Sequence, residues 1–246
     1  MFTPVKRKTF GAVDFVKIAA ASVFILAHIW LVFFKTWDTL EINSRPNAVP
    51  SPQIMGGTEI GQTFVAPSDG LSRIDVMFGT YGRDNDRDVF FRVWEGRQRH
   101  KPVAEIVFNA SDVLNNLYTP IAFDPVAGSG GRHYVFSLSS PDSTLDNALS
   151  VWINPADVYP GGRAFLNGRP LSGDLTFRTY SRRTPAQEWS RILAGVPELP
   201  GFRGPSLLIA AFLLFEAVQV AFFLMLVGNL RPRRSRAEFN TETAGA

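Results

Sequence analysis

Apolar positions along the chain follow three different patterns, and each predicts a different kind of element. Residues 15–34 are apolar apart from Lys17, Ser22 and His28. A helix of about 20 such residues, rising about 1.5 Å per residue, matches the roughly 30 Å hydrocarbon core of a bilayer. Residues 206–230 form a second apolar run that stops at Arg231, Pro232, Arg233 and Arg234. Both runs predict transmembrane helices. The first is long for the apolar core of a signal peptide, and Lys35, Thr36, Trp37 and Asp38 follow it without a small-x-small cleavage motif.

Between the two runs the apolar period changes from helical to two. Alternation predicts strands at residues 62–66, 73–78, 89–95, 103–108, 119–123, 133–138, 148–153 and 174–180, separated by Gly, Pro, Asn and Asp. Period two puts Ile74, Val76 and Phe78, and likewise Tyr134, Phe136 and Leu138, on a core face. The expectation is an all-β sandwich over residues 61–181, of about eight strands, with a jelly roll preferred and an immunoglobulin-like arrangement second. Residues 35–60 read as a linker. Residues 184–195 read as a short amphipathic helix with Thr184 as N-cap, Pro185 first, Gln187 third and Gly195 as terminator, its apolar face (Trp189, Ile192, Leu193, Val196) suited to a membrane interface or to the sandwich.

Charge fixes the orientation. Lys6, Arg7, Lys8 and Lys17 flank the first run and Arg231, Arg233, Arg234 and Arg236 the second, so the positive-inside rule puts both termini in the cytoplasm, as tails over residues 1–14 and 231–246. The central domain is then periplasmic or extracellular, with Trp30 and Trp37 near the outer interface. The formal net charge of +3 resolves into 16 basic against 18 acidic residues over 36–205, a balance of −2, and +5 elsewhere. A nucleic-acid-binding domain would carry its cations on the fold itself, so none is expected. With no cysteine, disulfides, thiolate metal sites and a cysteine nucleophile are excluded.

Several strings resemble one known kind of domain. The segments 61–67 (Gly61 to Pro67), 71–76, 79–85, 123–136 and 173–180 are similar to the jelly-roll, carbohydrate-binding-module-like ectodomains that occur beside or fused to multi-pass envelope glycosyltransferases. The resemblance covers about half of the chain and rests on turns and core positions. It implies the sandwich fold and an envelope setting. Unlike the fused cases, this chain has two candidate membrane helices and no catalytic multi-pass body.

No catalytic motif emerges. The three histidines are His28, His100 and His133; Gly128, Ser129, Gly130, Gly131 and Arg132 lack the spacing and lysine of a phosphate loop, and neither a nucleophile elbow nor a zinc helix is present. No enzyme and no cofactor are expected. Asp84, Asp86 and Asp88 invite a calcium reading, but Val89 stands where an EF-hand needs its glycine, and the alternation from Val89 to Trp94 turns Glu95 away from them; a solvated hairpin tip is the expectation, with a non-EF calcium site shared with a neighbouring loop as the minor reading.

A glycan needs an exposed aromatic platform with polar groups beside it. Because Val89, Phe91 and Val93 share the core face, Trp94 falls with Phe90 and Arg92 on the outer one; Trp152 is outward for the same reason, opposite Leu149, Val151 and Ile153. Trp94, Trp152, Arg92, Tyr81, Arg83 and Asn85 are therefore the candidate glycan-binding or partner-binding surface.

At membrane depth, Glu216 and Gln219 fall on one face of the second run and His28 at a comparable depth in the first. Such groups are costly in lipid and predict contacts between helices or with other transmembrane subunits. His28 as an axial ligand of haem or chlorophyll is the weaker reading, because Phe24 occupies the position where a light-harvesting helix has a small residue. The expected role is a non-catalytic, membrane-anchored accessory protein that binds a partner protein or an envelope polysaccharide; the alternative is a structural subunit of a larger membrane complex.

Overall fold

A computed structural model of the chain describes residues 12–44, 49–96, 98–194 and 204–229. It divides into two compact units, Thr36–Arg183 and a helical unit made of Met1–Lys35 with Thr184–Ala246.

The Thr36–Arg183 unit consists of strands β1 (Trp37–Asn43), β2 (Val49–Pro50), β3 (Glu59–Val65), β4 (Leu71–Gly79), β5 (Asp88–Glu95), β6 (Ala104–Asn109), β7 (Tyr118–Val126), β8 (His133–Ser139), β9 (Ser150–Asn154), β10 (Ala164–Leu166), β11 (Arg169–Pro170), β12 (Asp174–Leu175) and β13 (Phe177–Arg183). They form two antiparallel sheets. One runs β1-β13-β4-β9-β12, with β7 also on β4 and β2 on β9; the other runs β11-β10-β3-β8-β5-β6. Ile74, Val76 and Phe78 from the first meet Phe64, Phe91, Phe136 and Leu138 from the second in one buried cluster, as period two requires. Phe136 lies 5.5 Å from Phe177 and 5.7 Å from Phe91, so aromatic rings fill the gap between the sheets.

The expected linker contains structure. Residues 37–43 are β1, at the edge of the seven-stranded sheet, and Ile42 and Ile54 are buried core positions. A register shift between Leu40 and Ile42 turns Leu40 outward and Ile42 inward, which erases the alternation from the sequence. Trp37 pairs with Arg183, so the chain enters and leaves the two-sheet unit at the same end. The loop after Gly79 and the turn at residues 115–116 lie at the opposite end, because β4 and β7 run antiparallel between the two ends.

A polar pair sits inside the core. Ile60, Gln62 and Phe64 share the inner face of β3, and Gln62 is fully buried there. Its Nε2 donates to Asp174 Oδ1 at 2.8 Å, and its Oε1 accepts from the Leu175 N–H at 3.0 Å. The other carboxylate oxygen of Asp174 accepts from the N–H groups of Val158 (3.0 Å) and Tyr159 (2.9 Å). One buried carboxylate thus joins β3, β12 and the loop before β10. Burial raises its pKa above the ordinary carboxylate value, and its three hydrogen bonds pull the other way.

The helical unit contains α1 (Ala12–Phe33), α2 (Pro185–Ala194) and α3 (Gly204–Asn229). Among the described residues one segment, Phe15–Phe33 of α1, is long and apolar enough to cross a membrane, and a signal sequence has the same character. The second expected span is helical, its apolar stretch running over Ile209–Phe223. α1 and α3 pack through Phe33 on Phe212 (5.5 Å) and Phe24 on Phe223 (5.9 Å). At the start of α2, the Thr184 N–H donates to Gln187 Oε1 (2.8 Å) and the Gln187 N–H donates to Thr184 Oγ1 (3.2 Å), the reciprocal cap expected from the sequence. Trp189 and Ile192 are exposed. Residues 1–11 and 230–246, with all the flanking cations that set the expected orientation except Lys17, and Gly195 and Val196 lie outside the described residues.

Asp174→Asn is expected to lower stability by about 1–2 kcal/mol and Asp174→Ala by about 3 kcal/mol or more, because buried donors lose their acceptor. In the Asn variant the new NH2 faces either Gln62 Nε2 or two backbone N–H groups, and turning Gln62 over sets its NH2 against the Leu175 N–H. The raised pKa means that Asp174 contributes most below the unfolded carboxylate pKa and loses that contribution as pH rises through the folded value. Urea unfolding from about pH 4 to 7 should therefore show the wild-type advantage over Asp174→Asn narrowing as pH rises.

A candidate binding face around Tyr81 and Trp152

β4 ends at Gly79, on the outer face of the seven-stranded sheet near the end away from Trp37 and Arg183. Thr80 donates its N–H to Asn115 Oδ1 at 2.9 Å, and Tyr81 and Gly82, at φ 56 and 66, turn the chain back. A Cβ on Gly79 would lie 3.2 Å from Tyr81 Cε2 and 3.6 Å from Trp152 Nε1, so the missing side chain is the space both rings use. Trp152 reaches across from β9, and its Nε1 donates to Asn116 Oδ1 at 2.9 Å. Asn116 is itself in the left-handed region (φ 60), with its N–H on Phe78 O at 2.9 Å. Asparagine tolerates this conformation better than most residues.

Polar groups surround the two rings. The Arg83 guanidinium lies 5.3 Å from the Tyr81 ring centre and donates to Ala148 O at 2.9 Å. With its amide oxygen turned toward Arg83, Gln53 accepts from the same guanidinium at 2.7 Å. Tyr81 is 47% exposed, Trp152 is half-buried, and Leu114 and Leu117 are exposed on either side of the Asn115–Asn116 turn. The face can stack a flat apolar surface and hydrogen-bond its edges. Asn85 plays a different part. It is buried and donates to Asn147 O at 2.7 Å, bracing the loop from inside.

Trp94 and Arg92 are not part of this face. They belong to β5 in the other sheet, so the surface expected from the sequence divides in two. Trp94 points outward, as its parity demands, but is only 8% exposed, because the loop after β5 folds back and stacks Arg99 over it at 5.0 Å. Arg99 also lies 4.6 Å from the Phe165 ring and pairs with Glu59 at 2.8 Å. Arg92 is occupied by Glu105 at 2.7 Å. Trp94 therefore offers no open platform.

The calcium reading of Asp84, Asp86 and Asp88 gains no geometric support. Among the described residues no three His, Cys, Asp or Glu side chains converge as metal ligands. Asp86 accepts instead from Asn147 Nδ2 at 2.9 Å and Asp88 from Asn109 Nδ2 at 3.3 Å, which secures the loop between β4 and β5.

In the helical unit, His28 Nδ1 lies 2.9 Å from the Phe24 carbonyl oxygen one turn back, and its ring meets Phe215 edge-on at 6.5 Å. Glu216 is buried, and among the described residues neither of its carboxylate oxygens has a hydrogen-bond partner. Phe212, Glu216, Gln219 and Phe223 share one face of α3, with Phe212 and Phe223 packed on α1 above and below the other two. The three polar groups thus lie at or beside one helix seam, without a hydrogen bond between His28 and Glu216.

Gln53, Thr80, Asn115 and Asn116 give little sign of their roles in the sequence. Adjacent asparagines after a short turn are a signal for a left-handed position, but nothing local shows that Trp152 will reach them. No protein-family model and no curated protein matches the chain. Among solved structures, the D1-D2-D3 domains of the flagellar cap protein FliD from Escherichia coli match at 14% identity over 74% of this chain and 66% of that chain, with a TM-score of 0.13, too low to support an argument about fold or function.

Asn116→Ala is expected to cost about 1–2 kcal/mol, since it removes the Trp152 partner and replaces a residue that tolerates the left-handed region with one that tolerates it less well. Asn116→Gly relieves the second effect alone and should recover part of that loss in thermal unfolding of the full chain.

Proposed function

We propose that the chain is a non-catalytic, membrane-anchored accessory protein whose two-sheet unit, a β-sandwich of jelly-roll type outside the cytoplasm, binds an envelope glycan or a partner protein on the Tyr81–Trp152 face. The observation that carries this reading is the pair of rings laid over Gly79 with Asn115, Asn116 and Arg83 around them. Aromatic faces beside amide and guanidinium donors match the alternating apolar faces and hydroxyl edges of a sugar.

Tethering fits the same picture. α1 has the length and composition of a membrane span, and α3, read as a second, would return the chain to the cytoplasm. Because Trp37 and Arg183 are paired, both connections leave from one end of the domain, and the Tyr81–Trp152 face lies toward the other. The jelly-roll resemblance in the sequence points to the same setting, beside glycosyltransferases of the envelope.

A second reading has its own observation. Glu216 is buried in the α1–α3 seam without a hydrogen-bond partner among the described residues, a costly group that simple anchoring does not call for and that fits a helix pair specialised for a multi-subunit membrane complex.

Calorimetric titration of the full-length protein in detergent with polysaccharide from its own envelope separates the readings. Tyr81→Ala and Trp152→Ala are each expected to weaken binding by about tenfold, roughly 1.4 kcal/mol. Trp94→Ala should leave affinity unchanged and lower only stability. Stable co-purification with membrane partners that ignores all three substitutions would favour the subunit reading.

A further inference from the structure

The outer face of the six-stranded sheet holds a separate open groove of about 640 Å3, within the range of small-ligand sites. Thr63 and Val135 from the neighbouring strands β3 and β8 form its floor with Gly161 and Gly162, and Arg99, His133 and Arg163 line it; none of its lining residues is acidic. Arg99 is neutralised by Glu59 at 2.8 Å. Arg163 has no ion pair among the described residues, and its side chain is exposed.

The fold fixes the backbone of Arg163 closely. Thr63 donates its N–H to Arg163 O at 3.0 Å, and Arg163 donates its N–H to Thr63 Oγ1 at 2.8 Å. A Cβ on Gly162 would lie 1.7 Å from Thr63 O, so only glycine allows this approach. The Tyr159 hydroxyl accepts from the Val65 N–H at 3.1 Å and donates to Val65 O at 3.2 Å, while Asp174 holds the N–H groups of Val158 and Tyr159. The segment is thus held at both ends, yet the guanidinium it carries takes part in none of these bonds. The backbone beneath this cation is fixed and the guanidinium is left free to meet an anion.

We propose that this groove binds an anionic sugar unit of a saccharide, a sugar carboxylate or sugar phosphate, with Arg163 as the charge contact and Thr63, His133 and backbone groups of the glycine floor meeting hydroxyls. A peptide suits the groove less well. β3 and β8 are both paired on each side, and the edge strand that reaches the groove, β11, is two residues long and includes Pro170, which has no N–H to give to an added strand. The site lies on the opposite sheet from Tyr81 and Trp152, and either can fail without the other.

The test is calorimetric titration of the full-length protein in detergent with hexagalacturonate, its methyl ester, inorganic phosphate and poly-L-glutamate. Hexagalacturonate or phosphate should bind, more weakly as salt is raised, and which of the two binds tells carboxylate from phosphate. The methyl ester should bind at least about tenfold more weakly than the acid. Arg163→Gln should lose a similar factor with an unchanged unfolding temperature, and Arg92→Gln, at an arginine of the same sheet already paired with Glu105, should lose nothing. The proposal is overturned if neither anion binds, if the ester binds as tightly as the acid, if Arg163→Gln binds like wild type, or if poly-L-glutamate binds as tightly as the sugar.

Discussion

Asp174 is the polar junction that ties the two sheets together inside their otherwise apolar core. Its carboxylate takes Gln62 from one sheet, sits on β12 of the other, and gathers the Val158 and Tyr159 amides from the loop between them. A buried carboxylate without such donors would cost several kcal/mol, so the cluster is stable only when complete. β12 in turn pairs with β9, the strand that carries Trp152, and the Tyr159 loop leads into Gly162 and Arg163. Both proposed surfaces therefore depend on the same buried group, one through strand pairing and the other through the loop.

The surfaces themselves follow from what the backbone leaves empty. Gly79 clears the ground on which Tyr81 and Trp152 lie, and Gly162 lets the Arg163 segment touch the edge of Thr63. Where the chain instead fills such ground, the surface closes. Arg99 covers Trp94 and leans on Phe165, and an outward tryptophan becomes a buried one. Parity decides which way a side chain points; neighbouring loops decide whether anything can reach it.

That distinction also marks how far the sequence could be read. The alternation in β4, β5, β8 and β9 placed their core faces, because period two survives wherever a strand is regular. β1 was hidden because its bulge between Leu40 and Ile42 shifts the alternation by one. Gln62 falls on the core face between Ile60 and Phe64, so its burial was legible, but its partner lies 112 residues away and no local pattern names it. Tyr81, Arg83 and Trp152 were found as types suited to a binding face. Their separation from Trp94 and Arg92 depends on which strands share a sheet, and that is a tertiary fact. The capping box at Thr184 and Gln187 is entirely local, and the structure reproduces it.

The helical unit is the part in which composition speaks most clearly and geometry adds a specific tension. Phe24, Phe33, Phe212 and Phe223 zip α1 to α3, while Glu216 lies buried between the two phenylalanines of α3. An anchor needs only the phenylalanines, and the carboxylate is the feature that a purely passive tether does not explain. The central claim, however, rests on the other unit, and hydrogen-exchange mass spectrometry of the full-length protein with and without its envelope polysaccharide tests it most directly. Binding at the Tyr81–Trp152 face predicts slowed exchange at residues 79–83, 115–117 and 150–153; protection confined to the strand that carries Trp94, or no protection anywhere in the two-sheet unit, would contradict it.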